Sequence, residues 1–513
     1  MPFFRLSASL RASLRSPFRA TPGPAHASLP ALALLCALLP GCAAPTDTGL
    51  SRGAIALTEC RLKDVASAAW CGELEVPEDH DRPGGRKIRL HVAVLPAYVR
   101  TRAPDPLLLL AGGPGQAASD IGKVALLFDA VRRARDIVLI DQRGTGRSHP
   151  VACKLFDTLD PVAAMMQAAP EPEKLRACAA GFAGDPRLYT TPAFLRDLEA
   201  VRAALGAEQV NLWGGSYGSR VALAYLRAHP ERIRTAILDG VAPTAMRIMF
   251  EALVNGEAQL ARTIADCGAN PACRAAYPRL EEDWARLARE YAAARPLALA
   301  HPRTGAPQTL EVDFLAIDGA LRTLLYSAEY SALVPELITR AAAGDVAPLF
   351  AASLRIVGDL GQGMNVGLQL SVVCAEDGQR VDAADRARVR ARPVIATVLA
   401  RVDAACADWP HGAVPAAFHE PTASDRPVLA FSGGLDPVTP AANGELAVRT
   451  LARATHIVAP GYGHLVSPFG CAPRLVARFV DDGNADRLPE DCVSALRGSR
   501  RPPFFAGRLE ARP

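Results

Sequence analysis

From Gly72 onward the chain alternates short apolar runs with segments of helical periodicity. Residues 72–76 and Lys87–Leu95 flank the turn-rich Asp81-Arg82-Pro83-Gly84-Gly85, a pattern that predicts two strands joined by a turn. Leu107–Leu110 is apolar at every position, as a strand covered on both faces must be, and Ile137–Ile140, 210–213 and 235–238 repeat it. Before 210–213, Thr191-Pro192 reads as an N-cap followed by the first helical residue. Leu195, Leu198, Val201 and Leu205 then recur at helical spacing until Gly206 stops the helix. Strands alternating with helices predict an α/β fold with a mostly parallel sheet covered on both sides.

After Pro243 the pattern changes. Residues 243–425 are rich in Ala and Arg and read as largely helical, with Leu280, Trp284, Leu287 and Tyr291 marking one amphipathic face. Strand patterns resume at 427–431 and 455–458. Two such strands make a poor sheet alone. The economical organisation is therefore one α/β core, residues 60–242 and 426–500, interrupted by a helical cap insertion at 243–425.

Composition adds a compartment and removes a class of partner. Of 513 residues, 50% are hydrophobic and 21% charged, the balance of a globular chain. The formal net charge of +4 comes from Arg5, Arg11, Arg15 and Arg19 in an acid-free amino terminus, so the rest is neutral and offers nucleic acid no electrostatic footprint. The apolar run at 29–39 is short of the roughly 20 residues that cross a bilayer. Residues 1–41 therefore read as a signal peptide. Leu39-Pro40-Gly41-Cys42 resembles a lipobox, which makes Cys42 a lipidated first residue and the protein lipid-anchored in the periplasm or cell envelope. An ordinary signal cleaved near Ala43 is the alternative. Setting aside Cys36 and Cys42, ten of the twelve Cys remain, as a disulfide framework would need. Local spacings suggest Cys60–Cys71, Cys153–Cys178, Cys267–Cys273, Cys374–Cys406 and Cys471–Cys492, although many connectivities are open.

The candidate chemistry lies at the ends of the predicted strands. Residues 210–213 run into Gly214-Gly215-Ser216-Tyr217-Gly218 and then an apolar helical segment, the strand–turn–helix setting in which G-x-S-x-G presents a nucleophile. A serine hydroxyl needs a base, and the base an orienting carboxylate. Asp436 follows the strand at 427–431, and His464 lies in a Gly-rich turn after 455–458. The order Ser216, Asp436, His464 is that of an α/β-hydrolase. Leu107–Leu110 empties into Ala111-Gly112-Gly113-Pro114-Gly115, and the Gly113 and Tyr217 N–H groups are assigned to an oxyanion hole. The glycine-rich 141–148 lacks the Lys-Ser/Thr ending of a phosphate cradle and reads as a loop held by an Asp141–Arg143 interaction. With no HExxH pair and no GxGxxG after a strand, neither metal nor cofactor is expected.

The Gly-Gly-Pro-Gly loop, Asp-Gln-Arg-Gly-x-Gly-x-Ser at 141–148, the Gly-Gly-Ser-Tyr-Gly elbow, Cys-Gly-Glu-Leu-Glu-Val-Pro at 71–77 and Gly-Gly-Leu-Asp-Pro-Val-Thr-Pro at 433–440 together resemble the prolyl aminopeptidase / tripeptidyl aminopeptidase family of serine peptidases. Ala111 departs from it, where these enzymes often carry His. The resemblance implies an α/β-hydrolase fold and release of N-terminal residues from small peptides. It also implies a carboxylate for the substrate ammonium, for which Cys374-Ala375-Glu376-Asp377 offers Glu376 first and Asp377 second. A carboxylester hydrolase with the same triad and a non-catalytic binding module on this scaffold are the alternatives. Oligomeric state is not legible.

Overall fold

The computed structural model describes residues 49–507 apart from 154, 156–160, 167–169 and 361–363. The proposed signal peptide and Cys42 lie outside the described residues.

Ten strands form one sheet: β1 Gly49–Arg52, β2 Ile55–Cys60, β3 Ala69–Pro77, β4 Lys87–Leu95, β5 Leu107–Leu110, β6 Ile137–Ile140, β7 Val210–Gly215, β8 Ile233–Asp239, and, after a separate hairpin of β9 Arg295–Ala300 with β10 Pro307–Val312, β11 Ser424–Gly433 and β12 Leu451–Ala459. Their spatial order is β1-β2-β3-β4-β6-β5-β7-β8-β11-β12. The six strands from β6 to β12 pair in parallel, and β1 to β4 add antiparallel at one edge.

The apolar runs are continuous because successive residues feed opposite layers. Leu108, Leu110, Val138, Ile140 and Leu212 pack on one face with Leu198, Val201 and Val221. Leu107, Leu109, Ile137, Leu139 and Trp213 pack on the other with Phe128, Leu475 and Phe479. The helices Thr191–Ala204 and Tyr217–Ala228 cover the first face, and Ala472–Asp482 the second.

The chain leaves the sheet at Asp239 and returns at Ser424 to set β11 beside β8, with Leu238 opposite Ala430. The intervening residues are mostly helical, around their own core of Leu280, Leu287, Tyr291, Ile317, Leu321 and Phe350. Their β9–β10 hairpin is the part that the largely helical reading did not foresee. Its strands are largely exposed, with Val312 buried in the core and Leu297 and Leu310 packed against it, so they lack the continuous apolar run of the main-sheet strands.

Two local expectations are corrected. Thr190, not Thr191, caps the helix Thr191–Ala204, its hydroxyl accepting from Ala193 N. Arg143 does not pair with Asp141. Its guanidinium grips Asp197 of that helix with two bonds of 2.7 Å and donates to the carbonyls of Glu78 and Leu188. Asp141 instead accepts from Ser119 N–H and Oγ–H and from Arg147 N–H. Both side chains are buried, and each found a longer-range partner than the loop itself supplies. All five suggested disulfides are present: Cys60–Cys71, Cys153–Cys178, Cys267–Cys273, Cys374–Cys406 and Cys471–Cys492.

Candidate active site

Ser216 follows β7 directly and is the N-cap of the helix Tyr217–Ala228, with φ 56° and ψ −124°, a positive-φ conformation that costs a non-glycine residue about 1–3 kcal/mol. The turn survives because backbone closes on it. A Cβ at Gly218 would lie 2.1 Å from the Leu110 carbonyl oxygen, and one at Gly214 would lie 2.3 Å from the Gly218 oxygen. Ser216 N–H donates to the Asp239 carbonyl at 2.8 Å. The Gly112–Gly115 loop reaches over the serine: a Cβ at Gly112 would stand 3.3 Å from Ser216 Cβ. Gly113 takes φ +109° beside it, and Tyr217 N begins the helix. The two residues assigned to oxyanion binding therefore flank Ser216.

Asp436 lies just past β11, buried. Its Oδ1 accepts from Val438 and Thr439 N–H at 2.8 Å each, and its Oδ2 accepts from Thr439 Oγ1–H at 2.8 Å. That leaves Oδ2 fixed to meet His464 Nδ1 at 2.9 Å. Burial would push the imidazole below its ordinary 6.5, but Asp436, and more weakly Asp239, outweigh it and hold the pKa above that value. An Nδ1–H bound to Asp436 frees Nε2 as the base. Gly240 touches the imidazole, where a Cβ would lie 3.0 Å from Cε1, so the base stands one residue beyond the Asp239 carbonyl that holds Ser216 N–H.

Asp239 is a member that motif reading missed. Its buried carboxylate accepts from Val466 N–H, Ser467 N–H and Ser467 Oγ–H, all between 2.6 and 3.1 Å. Burial nevertheless lifts its pKa to about 6. The signal was present, since an acid at the carboxyl end of an apolar parallel strand stands where such sheets build their sites. Thr439 was missed as well, though it stands in a quoted motif.

Glu376 and Asp377 do not form an open pocket wall. Both are buried, at 1% and 3% exposure, at the end of the helix Val366–Glu376. Glu376 accepts from Thr191 N–H at 2.7 Å and from Arg220 Nη1 at 3.4 Å. Asp377 accepts from Arg220 and from Ile248 N–H. Arg220 also donates to the Met246 carbonyl. The two carboxylates expected to meet a substrate ammonium are buried, and a buried guanidinium from the helix after Ser216 engages both. Thr191, displaced from capping, joins this network, with Oγ1 2.6 Å from the Tyr217 hydroxyl, which also accepts from Gln142 Nε2 at 3.1 Å.

The insertion touches each loop of the site. Asn255 Nδ2 donates to Val438 O, Asn365 N to Gly115 O, and His464 N to Tyr326 O.

Fold and site together define an α/β-hydrolase with serine, histidine and aspartate in the order of that class. The profile of the alpha/beta hydrolase fold matches residues 105–346, and that of TAP-like protein matches 392–492. The serine protease Hip1 of Mycobacterium tuberculosis is 30% identical over 241 residues, 42% of this chain and 45% of its own. A tripeptidyl aminopeptidase of Streptomyces lividans is 30% identical over 200 residues, 36% and 37% of the two chains. A proline iminopeptidase of Neisseria gonorrhoeae is 35% identical over 140 residues, 27% and 34%. The aligned stretches span less than half the length of each of these relatives. A solved proline iminopeptidase of Mycobacterium smegmatis aligns over 80% of this chain and 98% of its own at 15% identity, with a TM-score of 0.39. The chain thus carries an alpha/beta hydrolase fold region followed by a TAP-like region, and over part of its length it is similar to tripeptidyl and prolyl aminopeptidases.

Proposed function

We propose that the protein is an exported serine aminopeptidase that releases an N-terminal residue or short peptide from small peptides through an acyl-enzyme. The observation that carries this reading is the His464–Asp436 pair beside a strained Ser216 elbow, with the Gly112–Gly113 loop above it. His464 Nε2 takes the Ser216 hydroxyl proton as Oγ attacks the scissile carbonyl, while the Gly113 and Tyr217 N–H groups receive the oxyanion. The imidazolium, held by Asp436, then protonates the leaving amine. Water repeats the cycle on the ester and frees the acid.

Peptidase is favoured over esterase because the relatives described above are a serine protease, a tripeptidyl aminopeptidase and a proline iminopeptidase. The insertion's contacts with all three loops favour small peptides over folded proteins. Five disulfides fit an oxidising compartment and so support export.

The test is a short anilide with a free N-terminus, its N-acetylated twin and an aryl ester of the same acid, with Ser216→Ala as control. Cleavage of the free-amine anilide alone, lost in the variant, is expected. Turnover of the ester alone would sink the peptidase reading and leave the hydrolase.

A further inference from the structure

The turn between the helices Phe314–Leu324 and Ala328–Ser331 belongs to the insertion, yet it is built against the base. Tyr326 O accepts from His464 N–H at 2.9 Å. The approach needs glycine next door, since a Cβ at Gly463 would lie 2.4 Å from that oxygen. The Tyr326 ring meets the imidazole edge-on, with centroids 5.2 Å apart and planes at 79°. Its hydroxyl has no hydrogen-bond partner among the described residues and is not sealed in the interior. The Tyr217 hydroxyl, by contrast, is held by Thr191 and Gln142. Burial first, and Asp436 second, push the Tyr326 phenol up to about 12, so it keeps its proton wherever the enzyme works and can donate or accept.

A histidine that has taken the nucleophile's proton must hand it to the leaving group. Whatever follows the scissile bond therefore departs across the imidazole. A side chain packed on that ring, and carrying a free polar tip, borders its path. We infer that Tyr326 forms the wall of the leaving-group subsite: its ring positions His464, and its hydroxyl meets the residue that departs. For amide substrates this rests on the peptidase reading above; the subsite itself rests only on the triad chemistry.

The test uses the full mature chain with peptides that share one acyl part and a free N-terminus and differ after the scissile bond, carrying Gly, Leu or Phe. A parallel series of esters joins the same acid to small and bulky alcohols. In Tyr326→Ala the kcat/KM ratio of bulky over small leaving groups is expected to change about tenfold, the scale on which a pocket contact discriminates. The acid limb of the pH profile should move as well, because the imidazole loses its neighbour. Tyr326→Phe is expected to keep the limb and lose part of the discrimination. An equal loss on every leaving group with an unmoved limb overturns the inference and reduces Tyr326 to packing. Cleavage of esters but no amide would end the peptidase reading, and the alcohol series would then decide the subsite on its own. Should Tyr326→Ala fail to fold, Tyr326→Leu, which keeps apolar bulk, carries the comparison.

Discussion

The Asp239 carbonyl accepts the N–H of Ser216 at 2.8 Å while the carboxylate of the same residue holds the N–H groups of Val466 and Ser467, just beyond His464. One residue at the end of β8 therefore fixes the spacing of nucleophile and base. Asp239→Ala leaves the donors of Val466 and Ser467 buried without an acceptor, at about 1–3 kcal/mol each. A lower midpoint in thermal melts and a fall in kcat are expected together, whereas Asp239→Asn should recover more of the stability than of the rate.

Asp436 acts on the base by charge as well as by geometry. Its carboxylate holds His464 above the ordinary 6.5, so the base is protonated, and idle, to a higher pH than a free imidazole would be. The acid limb of kcat/KM is accordingly expected above that value. Asp436→Asn should move the limb down and lower kcat by about four orders of magnitude, the size seen when such a carboxylate is replaced. A pH–rate profile of both proteins checks the direction.

Glu376 should be visible in stability rather than in rate. Burial raises its folded pKa from 4.5 to about 7 against the pull of Arg220. The fold thus prefers the protonated acid. That contribution is fully present below the ordinary value and is lost as pH rises through the folded one. Thermal midpoints across this window should fall in the native chain, and Glu376→Gln should flatten the slope.

Arg143 tests the frame. It is fully buried, with both bonds to Asp197 inside the fold. Lysine cannot reproduce the fork, and breaking a buried pair costs about 3–5 kcal/mol. Arg143→Lys is expected to unfold at lower denaturant, with little change in turnover per folded molecule.

Most of what could be read from the sequence was read where local pattern and final environment agree. Leu107–Leu110 and Ile137–Ile140 are strands because both faces of the sheet are covered, and an unbroken apolar run can mean little else at that length. The elbow, Asp436 and His464 were legible because Gly-rich turns mark strand ends. The hairpin β9–β10 was not, since most of its side chains are exposed or only partly buried. Nor were the partners of buried charge: Arg143 and Asp197, or Arg220 and Glu376, are 54 and 156 residues apart, and only the tertiary structure pairs them. Glu376 was singled out as a buried acid, but its partners within the chain, Thr191 and Arg220, were not foreseen. A carboxylate in a sequence does not say which cation reaches it first.

The return of the chain from β8 to β11 also sets the order in which the site is made. Ser216 leaves the ribosome some 220 residues before Asp436, a delay of roughly 10–40 s at ordinary rates of synthesis. Until β11 docks, the nucleophile has neither base nor orienting acid. Under the proposed mechanism, a chain cut before β11 carries a serine without its base, and hydrolysis is expected only once His464 is in place.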